Sequence, residues 1–246
     1  MSIDGADDIE ALKHIGGICR DVLRQMGERI APGVTPRELD DYAGRLLAAA
    51  GAVSAPRLAY NFPGETCISV GEDIAHGVPN DVPLQEGQLV NIDVSAEKNG
   101  YFGDCGQSFA VGKISTEAER LLKATKRAQY EAMMAVRAGV PIRRVGEVVV
   151  SVAKKYGYQV VEGLNGHGVG RWIHEGPTIS NVPIRGDRRV FEKGMVVTIE
   201  PFLATKSRNY VEMDDGWTLR LDAGGLGAQF EHSFIVTDGA PIILTA

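Results

Sequence analysis

The sequence predicts an α/β protein of the α+β type, in which antiparallel strands pack against helices and one structural unit occurs twice. Three observations support this prediction. Residues 90–109 read as two strands joined at Asn99-Gly100, four segments have helical character, and two stretches of the chain match each other at nearly equal offsets. The chain has 246 residues, which is enough for a sizeable core, and we expect residues 1–246 to form a single domain.

The helices are predicted from apolar spacing and from residues that cap helix ends. Thr35 and Glu38 form a capping box before the second helix, Thr116 and Glu119 form one at the start of the third, and Gly139 ends the third. The four predicted helices cover residues 9–30, 36–51, 115–138 and 142–156.

The strands are predicted from runs of apolar and β-branched residues between turn signals. Besides the pair at 90–109, they cover residues 67–70, 195–203, 210–213, 217–221 and 228–236. Residues 54–66 are predicted to be irregular. Residues 72–80 and 163–192 are predicted to be mainly loops, the second of them rich in glycine at its start.

The chain matches itself in two places. Residues 32–36 resemble residues 138–141 at an offset of 106, and residues 86–93 resemble residues 193–200 at an offset of 107. A repeated helix–helix–strand unit would place Asp93 and Glu200 at related positions about a pseudo-two-fold axis.

The predicted strand pair brings two carboxylates together. A two-residue turn at Asn99-Gly100 places Lys98 opposite Tyr101, so that Asp93 and Asp104 share one face, one diagonal step apart. Two carboxylates that share a space repel each other unless a proton or a cation lies between them. On a surface hairpin both would be solvated, but the apolar neighbours of this pair favour a metal site.

Further metal ligands are expected where polar residues lie in apolar or glycine-rich surroundings. Taken alone, Asp104 could close a turn, Glu200 could pair with an arginine, and Glu231 could be an exposed strand residue. Together, oxygen donors with a single imidazole suit Mn, Fe, Co or Zn in a two-metal arrangement. The five candidate ligands are Asp93, Asp104, His167, Glu200 and Glu231.

Two other histidines are candidates for contact with a substrate. His76 lies between Ala75 and Gly77, and His174 precedes Glu175. Each is either solvated or, close to a metal-activated nucleophile, able to hydrogen-bond a substrate or leaving group.

Composition limits the partners and the compartment. The net charge is −6, and the sequence has no Lys/Arg cluster, which argues against nucleic acid as the main ligand. The three cysteines lack CxxC spacing, the first ten residues are acidic, and no apolar run is long enough to span a membrane. We expect a cytoplasmic protein with no membrane partner.

The combined motifs resemble those of the type I methionine aminopeptidases over nearly the whole chain. The resemblance implies the pita-bread fold, which is a curved antiparallel sheet with helices on its outer side and internal pseudo-symmetry, built as one catalytic domain. The motifs are Ile92-Asp93-Val94, Gly103-Asp104, Gly166-His167-Gly168-Val169-Gly170, His174-Glu175, Thr198-Ile199-Glu200-Pro201 and Gln229-Phe230-Glu231-His232-Ser233.

The resemblance also implies a chemistry. Two divalent ions (Co, Mn, Fe or Zn), with no other cofactor, would be held by the five ligands, with Asp104 and Glu231 bridging. A hydroxide shared by the ions would attack the scissile peptide carbonyl. Glu200 would shuttle the proton, His174 would stabilise the tetrahedral intermediate, His76 would contact the scissile nitrogen, and Thr198 would orient Glu200.

The implied activity is removal of the initiator methionine from nascent chains or peptides whose second residue is small. It would be carried out by a monomer for which the resemblance allows a contact with the ribosome. The apolar pocket would be lined by Phe62, Cys67, Ile173, Trp217 and also Ala59 and Pro56. Relatives commonly have tyrosine in place of Phe62, phenylalanine in place of Ile173 and cysteine in place of Ala75, which changes the shape of the pocket.

Two other functions fit the sequence less well. A metallopeptidase of the same fold that acts on Xaa-Pro bonds usually carries an additional N-terminal domain. A non-catalytic relative that binds peptides typically lacks some of the ligands that are all present here.

Overall fold

The computed structural model describes residues 3–246, which form five helices and fifteen strands. The helices are α1 (Ala6–Gly27), α2 (Pro36–Ala49), α3 (Ala55–Tyr60), α4 (Thr116–Met134) and α5 (Arg144–Tyr156). The strands of the first half are β1 (Val53–Ser54), β2 (Cys67–Val70), β3 (Asp73–Ala75), β4 (Leu89–Lys98) and β5 (Tyr101–Ala110).

The second half of the chain contains ten short strands. They are β6 (Gln159–Val160), β7 (Asn165–Gly168), β8 (Glu175–Ser180), β9 (Val196–Ile199), β10 (Phe202–Ala204), β11 (Tyr210–Glu212), β12 (Leu219–Leu221), β13 (Gly227–Gln229), β14 (His232–Ile235) and β15 (Ile242–Ile243). Within residues 3–246 no helix is both long enough and apolar enough to cross a membrane.

The strand pairs are antiparallel throughout, as predicted. One sheet has the order β1-β4-β2, with β5 also paired to β4, and the largest has the order β15-β14-β9-β7-β8. Two three-stranded sheets, β13-β10-β6 and β11-β12-β3, complete the framework. Because β3 comes from the first half of the chain and β12 from the second, the last of these sheets connects the two halves.

The register of the β4–β5 hairpin is the predicted one. Lys98 lies opposite Tyr101 and Ser95 lies opposite Asp104, across a turn in which Asn99 and Gly100 have φ values of 54° and 81°. Asn and Gly suit this turn because both tolerate positive φ.

Each half of the molecule packs a helix pair on its own strands. Side chains of α1 and α2 such as Ile15 and Leu39 form one cluster with Ile92 of β4. Leu121 of α4 and Val149 of α5 belong to a second cluster that includes β9. The helix–helix–strand order thus occurs twice, in agreement with the repeat predicted from the two offsets.

Three local predictions about helix ends and irregular structure are wrong. Residues 55–60 form α3 rather than irregular structure, because the Ser54 hydroxyl accepts a hydrogen bond from the backbone N–H of Arg57 and Pro56 suits the first turn. The cap of α4 is Ser115, which accepts from the backbone N–H of Ala118, so the predicted Thr116–Glu119 capping box does not form. The helix also ends at Met134, before Gly139.

The strand predictions fail where strands are short or interrupted. Strands β3, β7 and β8 lie in segments predicted to be mainly loops. The strand predicted at 195–203 is interrupted at Glu200-Pro201, where proline has no N–H to donate, and the one predicted at 228–236 is interrupted at residues 230–231. Each interruption carries a predicted ligand, Glu200 or Glu231. These two residues lie outside the regular strand pairing, and their side chains line the site.

Candidate metal centre and substrate cavity

The five predicted ligands come together from five places in the fold. Asp93 and Asp104 lie on β4 and β5, His167 lies on β7, Glu200 follows β9, and Glu231 lies between β13 and β14. The pairing of His232 with Ile199 sets Glu231 beside Glu200. The backbone N–H of Glu231 donates to the carbonyl of Gly106 (2.8 Å), which joins the second half of the chain to β5 of the first.

The donor atoms of three of the five predicted ligands are close enough to share a cation. Single donor atoms of Asp104, His167 and Glu231 all lie within 4.8 Å of one another. His167 Nε2 is 3.5 Å from Asp104 Oδ2 and 3.3 Å from Glu200 Oε1. Three of the five, Asp104, His167 and Glu231, lie in one compact group, and all five line a single cavity.

Two oxygens of this group show that the residues fit a metal ion. Asp104 Oδ1 and Glu231 Oε1 are buried, and within residues 3–246 neither has a hydrogen-bond donor. Burying a carboxylate oxygen without a donor is costly unless a proton or a cation compensates it. Oxygen donors with a single imidazole are the set that divalent ions such as Mn, Fe, Co and Zn accept.

The surrounding hydrogen bonds orient His167 for the same role. Its Nδ1 lies 2.9 Å from the carbonyl oxygen of Gly168, which can only accept, so Nδ1 carries the proton and Nε2 presents a lone pair to the group. The Thr198 hydroxyl accepts from the backbone N–H of His167 (3.1 Å) and donates to Glu200 Oε1 (3.0 Å). Thr198 therefore orients Glu200, as the resemblance implied.

Burial and mutual repulsion disfavour the ionised carboxylates in the absence of a cation. Burial, followed by the charges of Glu231 and Asp93, raises the pKa of Asp104 well above its ordinary value. Burial and the charge of Glu200 raise the pKa of Glu231 well above its ordinary value and that of Asp93 to about 7. Burial lowers the pKa of His167, but its contact with Glu200 outweighs this and raises the pKa overall. A bound divalent ion would instead stabilise the ionised carboxylates relative to their protonated forms.

A buried polar chain behind Glu231 was not predicted from the sequence. Gln229 Nε2 donates to Glu231 Oε2 (3.0 Å), and Asn91 Nδ2 donates to Gln229 Oε1 (2.7 Å). The Ser108 hydroxyl accepts from the backbone N–H of Gln229 (2.9 Å) and from Asn91 Nδ2 (3.2 Å). The only available signal was the position of Gln229 two residues before a ligand, which places it on the same strand face.

An apolar cavity of about 260 Å³ adjoins the ligands. The rings of Phe62 and Trp217 meet edge to face, with centroids 5.2 Å apart. The predicted wall residues Phe62, Cys67, Ile173, Trp217 and Pro56 all line this cavity, together with all five ligands and both candidate histidines; Ala59 is not among the lining residues, and Tyr60 and Ser95 are unpredicted ones.

The position of Phe62 depends on a buried carboxylate that was also missed. Asp40 of α2 accepts hydrogen bonds from the backbone N–H groups of Glu65 and Thr66 and from the Thr66 hydroxyl. Burial raises the pKa of Asp40 in spite of these bonds. The carboxylate thereby anchors the segment that carries Phe62 to α2.

The two candidate histidines line the cavity next to strand ends, His76 directly after β3 and His174 directly before β8. His76 follows β3 with a φ of 53°, in the left-handed region, and partial desolvation lowers its pKa. The ring of His174 lies 4.3 Å from that of His167, centroid to centroid. Desolvation, followed by the charges of His167 and His76, lowers the pKa of His174 to about 3. Both imidazoles are therefore available as neutral hydrogen-bonding groups near pH 7.

A cluster of buried carboxylates and one imidazole beside an apolar cavity is the arrangement expected of a metal-dependent hydrolase. Residues 10–238 match the model of metallopeptidase family M24, and the chain belongs to this family. The resemblance found in the sequence is therefore confirmed, and the antiparallel α/β fold is the one expected for it.

Curated relatives match over the full chain. The chain is 38% identical over 247 residues to methionine aminopeptidase 2 of Bacillus subtilis, covering 100% of this chain and 99% of that protein. It is 36% identical over 250 residues to methionine aminopeptidase of Escherichia coli, covering 100% of this chain and 94% of that protein.

Solved structures give the same picture. Methionine aminopeptidase from Thermotoga maritima superposes with a TM-score of 0.96 at 29% identity, covering 100% of this chain and 99% of that one. Prolidase from Pyrococcus furiosus superposes with a TM-score of 0.78 at 26% identity, covering 99% of this chain but 65% of that one. The match to the aminopeptidase is thus higher and extends over nearly its whole length.

Proposed function

We propose that this protein is a methionyl aminopeptidase, which removes the initiator methionine from nascent proteins or peptides whose second residue is small. The observation that carries the proposal is the direct junction between the ligand group and the apolar cavity of about 260 Å³. A cavity of this size has room for one apolar side chain, and because the ligands line the same cavity, the bond after that residue would lie beside them.

We propose that Asp93, Asp104, His167, Glu200 and Glu231 would hold two divalent ions, with Asp104 and Glu231 as the carboxylates that both ions would share. Such ions polarise a carbonyl and lower the pKa of bound water into a usable range. The two buried, donor-free oxygens of Asp104 and Glu231 support the shared role, since each has one oxygen left for a second ion.

The roles of the other residues follow from their positions. Glu200 lies within reach of His167 Nε2 and is held by Thr198, so it can accept a proton from the nucleophile and pass it to the leaving amine. His174 is placed to donate to the oxygen that develops negative charge, and His76 to contact the scissile nitrogen.

The Xaa-Pro alternative predicts a different substrate on the same metal site. The prolidase match leaves about a third of that longer chain without a counterpart, whereas the aminopeptidases match almost end to end. A non-catalytic peptide-binding role predicts lost ligands, and all five residues line one cavity here. We therefore favour removal of N-terminal methionine over these two alternatives.

A direct test compares two tripeptides. Metal-depleted protein is incubated with Met-Ala-Ser and with Ala-Pro-Ala, with and without Mn or Co, while bound metal is counted by elemental analysis. Metal-dependent release of methionine from the first peptide alone is the expected result. Cleavage of only the second would move the substrate class to Xaa-Pro peptides. Cleavage of neither, with two ions bound per chain, would favour the binding role.

We also propose that residues 1–246 work as one catalytic domain in the cytoplasm, as a monomer. Residues 1 and 2 lie outside the described residues. All five proposed ligands and the pocket walls come from one chain, so no second copy is needed to complete the site.

We propose that a contact with the ribosome uses an arginine-rich face that the sequence did not reveal. The loop before α5 and the loop between β8 and β9 lie side by side, joined by backbone bonds such as Ile142 N–H to Arg189 O (3.0 Å). Guanidinium groups bind phosphates in a bidentate manner, so such a face suits ribosomal RNA. The exposed arginines in and next to these two loops are Arg137, Arg143, Arg144, Arg185, Arg188 and Arg189. Arg189 pairs with Asp187, and Arg143 and Arg144 pair with Glu147.

Co-sedimentation with ribosomes tests this contact. The double variant Arg185→Glu/Arg188→Glu should bind less than the natural protein, with hydrolysis of Met-Ala-Ser unchanged. Lys13→Glu/Arg24→Glu, which reverses two exposed charges on α1, is the matched control. Equal loss of binding in both double variants would mean that total charge, and not this face, governs the contact.

A further inference from the structure

Tyr60, which the sequence did not mark as a site residue, makes a short contact with His174 at the mouth of the cavity. Its hydroxyl oxygen lies 2.6 Å from His174 Nδ1, and the two ring centroids are 5.5 Å apart. Tyr60 is the last residue of α3, which begins at the Ser54 cap and is followed by Asn61 at a left-handed φ of 57°. The phenol is therefore held by a capped helix and not by a loose loop.

The chemistry of the two groups gives this hydrogen bond a direction. A phenol O–H is a good donor, whereas its oxygen is a weak acceptor because its lone pair is partly delocalised into the ring. A neutral imidazole has one N–H and one nitrogen with a free lone pair, which is a strong acceptor. The favoured arrangement has Tyr60 donating to Nδ1, which leaves the imidazole proton on Nε2.

The neighbouring histidine has the opposite arrangement. His167 donates from Nδ1 to the Gly168 carbonyl (2.9 Å), so its Nε2 offers a lone pair to a metal ion. His174 lies against it, with ring centroids 4.3 Å apart. With Nδ1 occupied by Tyr60, His174 offers an N–H in place of a lone pair. Two adjacent imidazoles thus supply a ligand and a donor to the same cavity.

We propose that Tyr60 is a positioning residue that holds His174 in the Nε2–H tautomer, ready to donate to the carbonyl oxygen of the scissile bond. A donor that is oriented before the substrate arrives needs no reorganisation when negative charge develops on that oxygen. Without the hydroxyl, the proton of His174 is free to move to Nδ1, and the Nε2 lone pair would then repel the carbonyl oxygen. The contact of His174 with the substrate rests on the proposed function, whereas the tautomer of His174 does not depend on it.

The variant Tyr60→Phe tests the proposal, because it keeps the ring and removes only the hydroxyl. Zinc-loaded protein labelled with ¹⁵N-histidine reports which ring nitrogen of His174 carries the proton, and His174→Asn identifies its signals. Natural protein should show protonated Nε2. Tyr60→Phe should show a mixture or protonated Nδ1. Tyr42→Phe, which removes a hydroxyl bonded to Gln25 (3.1 Å) on the helices, is the matched control and should leave His174 unchanged.

Kinetics on Met-Ala-Ser supply the second readout. Tyr60→Phe should lower kcat roughly 10-fold, as for loss of a group that orients a site residue, with little change in KM. The proposal is overturned if natural protein already carries the proton on Nδ1, or if Tyr60→Phe changes neither kcat nor the tautomer. It is also overturned if KM alone rises, which would make Tyr60 a pocket wall. If natural protein does not cleave Met-Ala-Ser, the proposed function fails while the tautomer measurement still decides the role of Tyr60.

Discussion

The two halves of this molecule supply carboxylates to the same site by different routes. In the first half, Asp93 and Asp104 lie on consecutive strands, β4 and β5, which a two-residue turn connects. In the second half, Glu200 and Glu231 lie beside the paired strands β9 and β14, and the chain between them forms β10 to β13. The two carboxylates of the first half are therefore close in sequence, whereas those of the second half are separated by the segment that forms β10 to β13.

The segment between Glu200 and Glu231 contributes both to the pocket and to the contact between the two halves. It carries Trp217, whose ring packs edge to face on Phe62 in the wall of the cavity, and β12, which pairs with β3 of the first half. The repeated helix–helix–strand unit therefore places Asp93 and Glu200 at related positions, while the segment outside the repeat adds Trp217 to a pocket whose other walls include Phe62 of the first half.

The largest expected effect comes from removing one proposed bridging carboxylate from each half. Asp104→Asn and Glu231→Gln should each lower kcat/KM for Met-Ala-Ser by more than the roughly 10–100-fold loss typical of outer-shell partners. Each should also raise the melting temperature of metal-free protein near pH 7.5, because a buried amide, unlike a buried carboxyl whose pKa is raised, need not bind a proton when the chain folds. Asp238→Asn, which changes an exposed carboxylate, should affect neither property. If only one of the two variants loses activity, the two halves do not share the metal centre.

A smaller effect is expected from the residues that orient the ligands. Thr198→Val removes the hydroxyl bonded to Glu200 and the backbone of His167, both of the second half. Gln229→Leu breaks the chain that joins Glu231 to Asn91 of the first half. Both should weaken Mn binding by about 10–100-fold in calorimetric titrations. Thr198→Ser keeps the hydroxyl and should bind Mn nearly as the natural protein does; weak binding by this control would point to packing instead.

The carboxylates of both halves predict how stability depends on pH. Burial, with the charge of Glu200, raises the pKa of Asp93 from 3.8 to about 7 in the metal-free protein. A group whose pKa is raised by folding contributes stability at low pH and loses it as the pH rises through the folded value. Metal-free protein should therefore become less stable between about pH 4 and about pH 7.

Added metal should reverse this trend, because the ion binds the ionised carboxylates and competes with protons. The increase in melting temperature on adding Zn should be larger near pH 7.5 than near pH 5.5. Asp93→Asn removes one carboxyl group of the first half whose pKa is raised. The stability of the metal-free variant should therefore depend less steeply on pH. An unchanged profile in this variant would assign the pH dependence to the other carboxylates with raised pKa values, Asp104 and Glu231.

The smallest expected effects concern one turn in each half. Gly100 (φ 81°) lies in the β4–β5 turn, and Gly216 (φ 73°) precedes Trp217. Alanine at either position should cost about 1 kcal/mol of unfolding free energy in urea titrations, since an added Cβ meets no atom within 3.4 Å and only the left-handed backbone is strained. Gly100→Ala should leave KM unchanged, whereas Gly216→Ala should raise it by displacing Trp217. Equal KM values would show that the turn does not position the pocket wall.

The first half was predicted from sequence more closely than the second. The register of β4 and β5 followed from Asn99-Gly100 alone, because a two-residue turn fixes every pair along both strands. The breaks at Glu200 and Glu231 were missed, since apolar spacing continues across them and only packing against the other half turns these side chains into the site. The orienting role of Tyr60 was missed for a similar reason, because its partner His174 lies 114 residues away.

By itself the sequence determined the ligand types, the duplicated unit and the family, because these depend on residue identity, short spacings and motifs. The tertiary structure alone decided which atoms meet. Within residues 3–246 it left one oxygen each of Asp104 and Glu231 without a donor, set opposite hydrogen-bond partners on His167 and His174, and placed the loop before α5 beside the loop between β8 and β9. Contacts between residues far apart in the chain are fixed by packing and burial, which no local pattern contains.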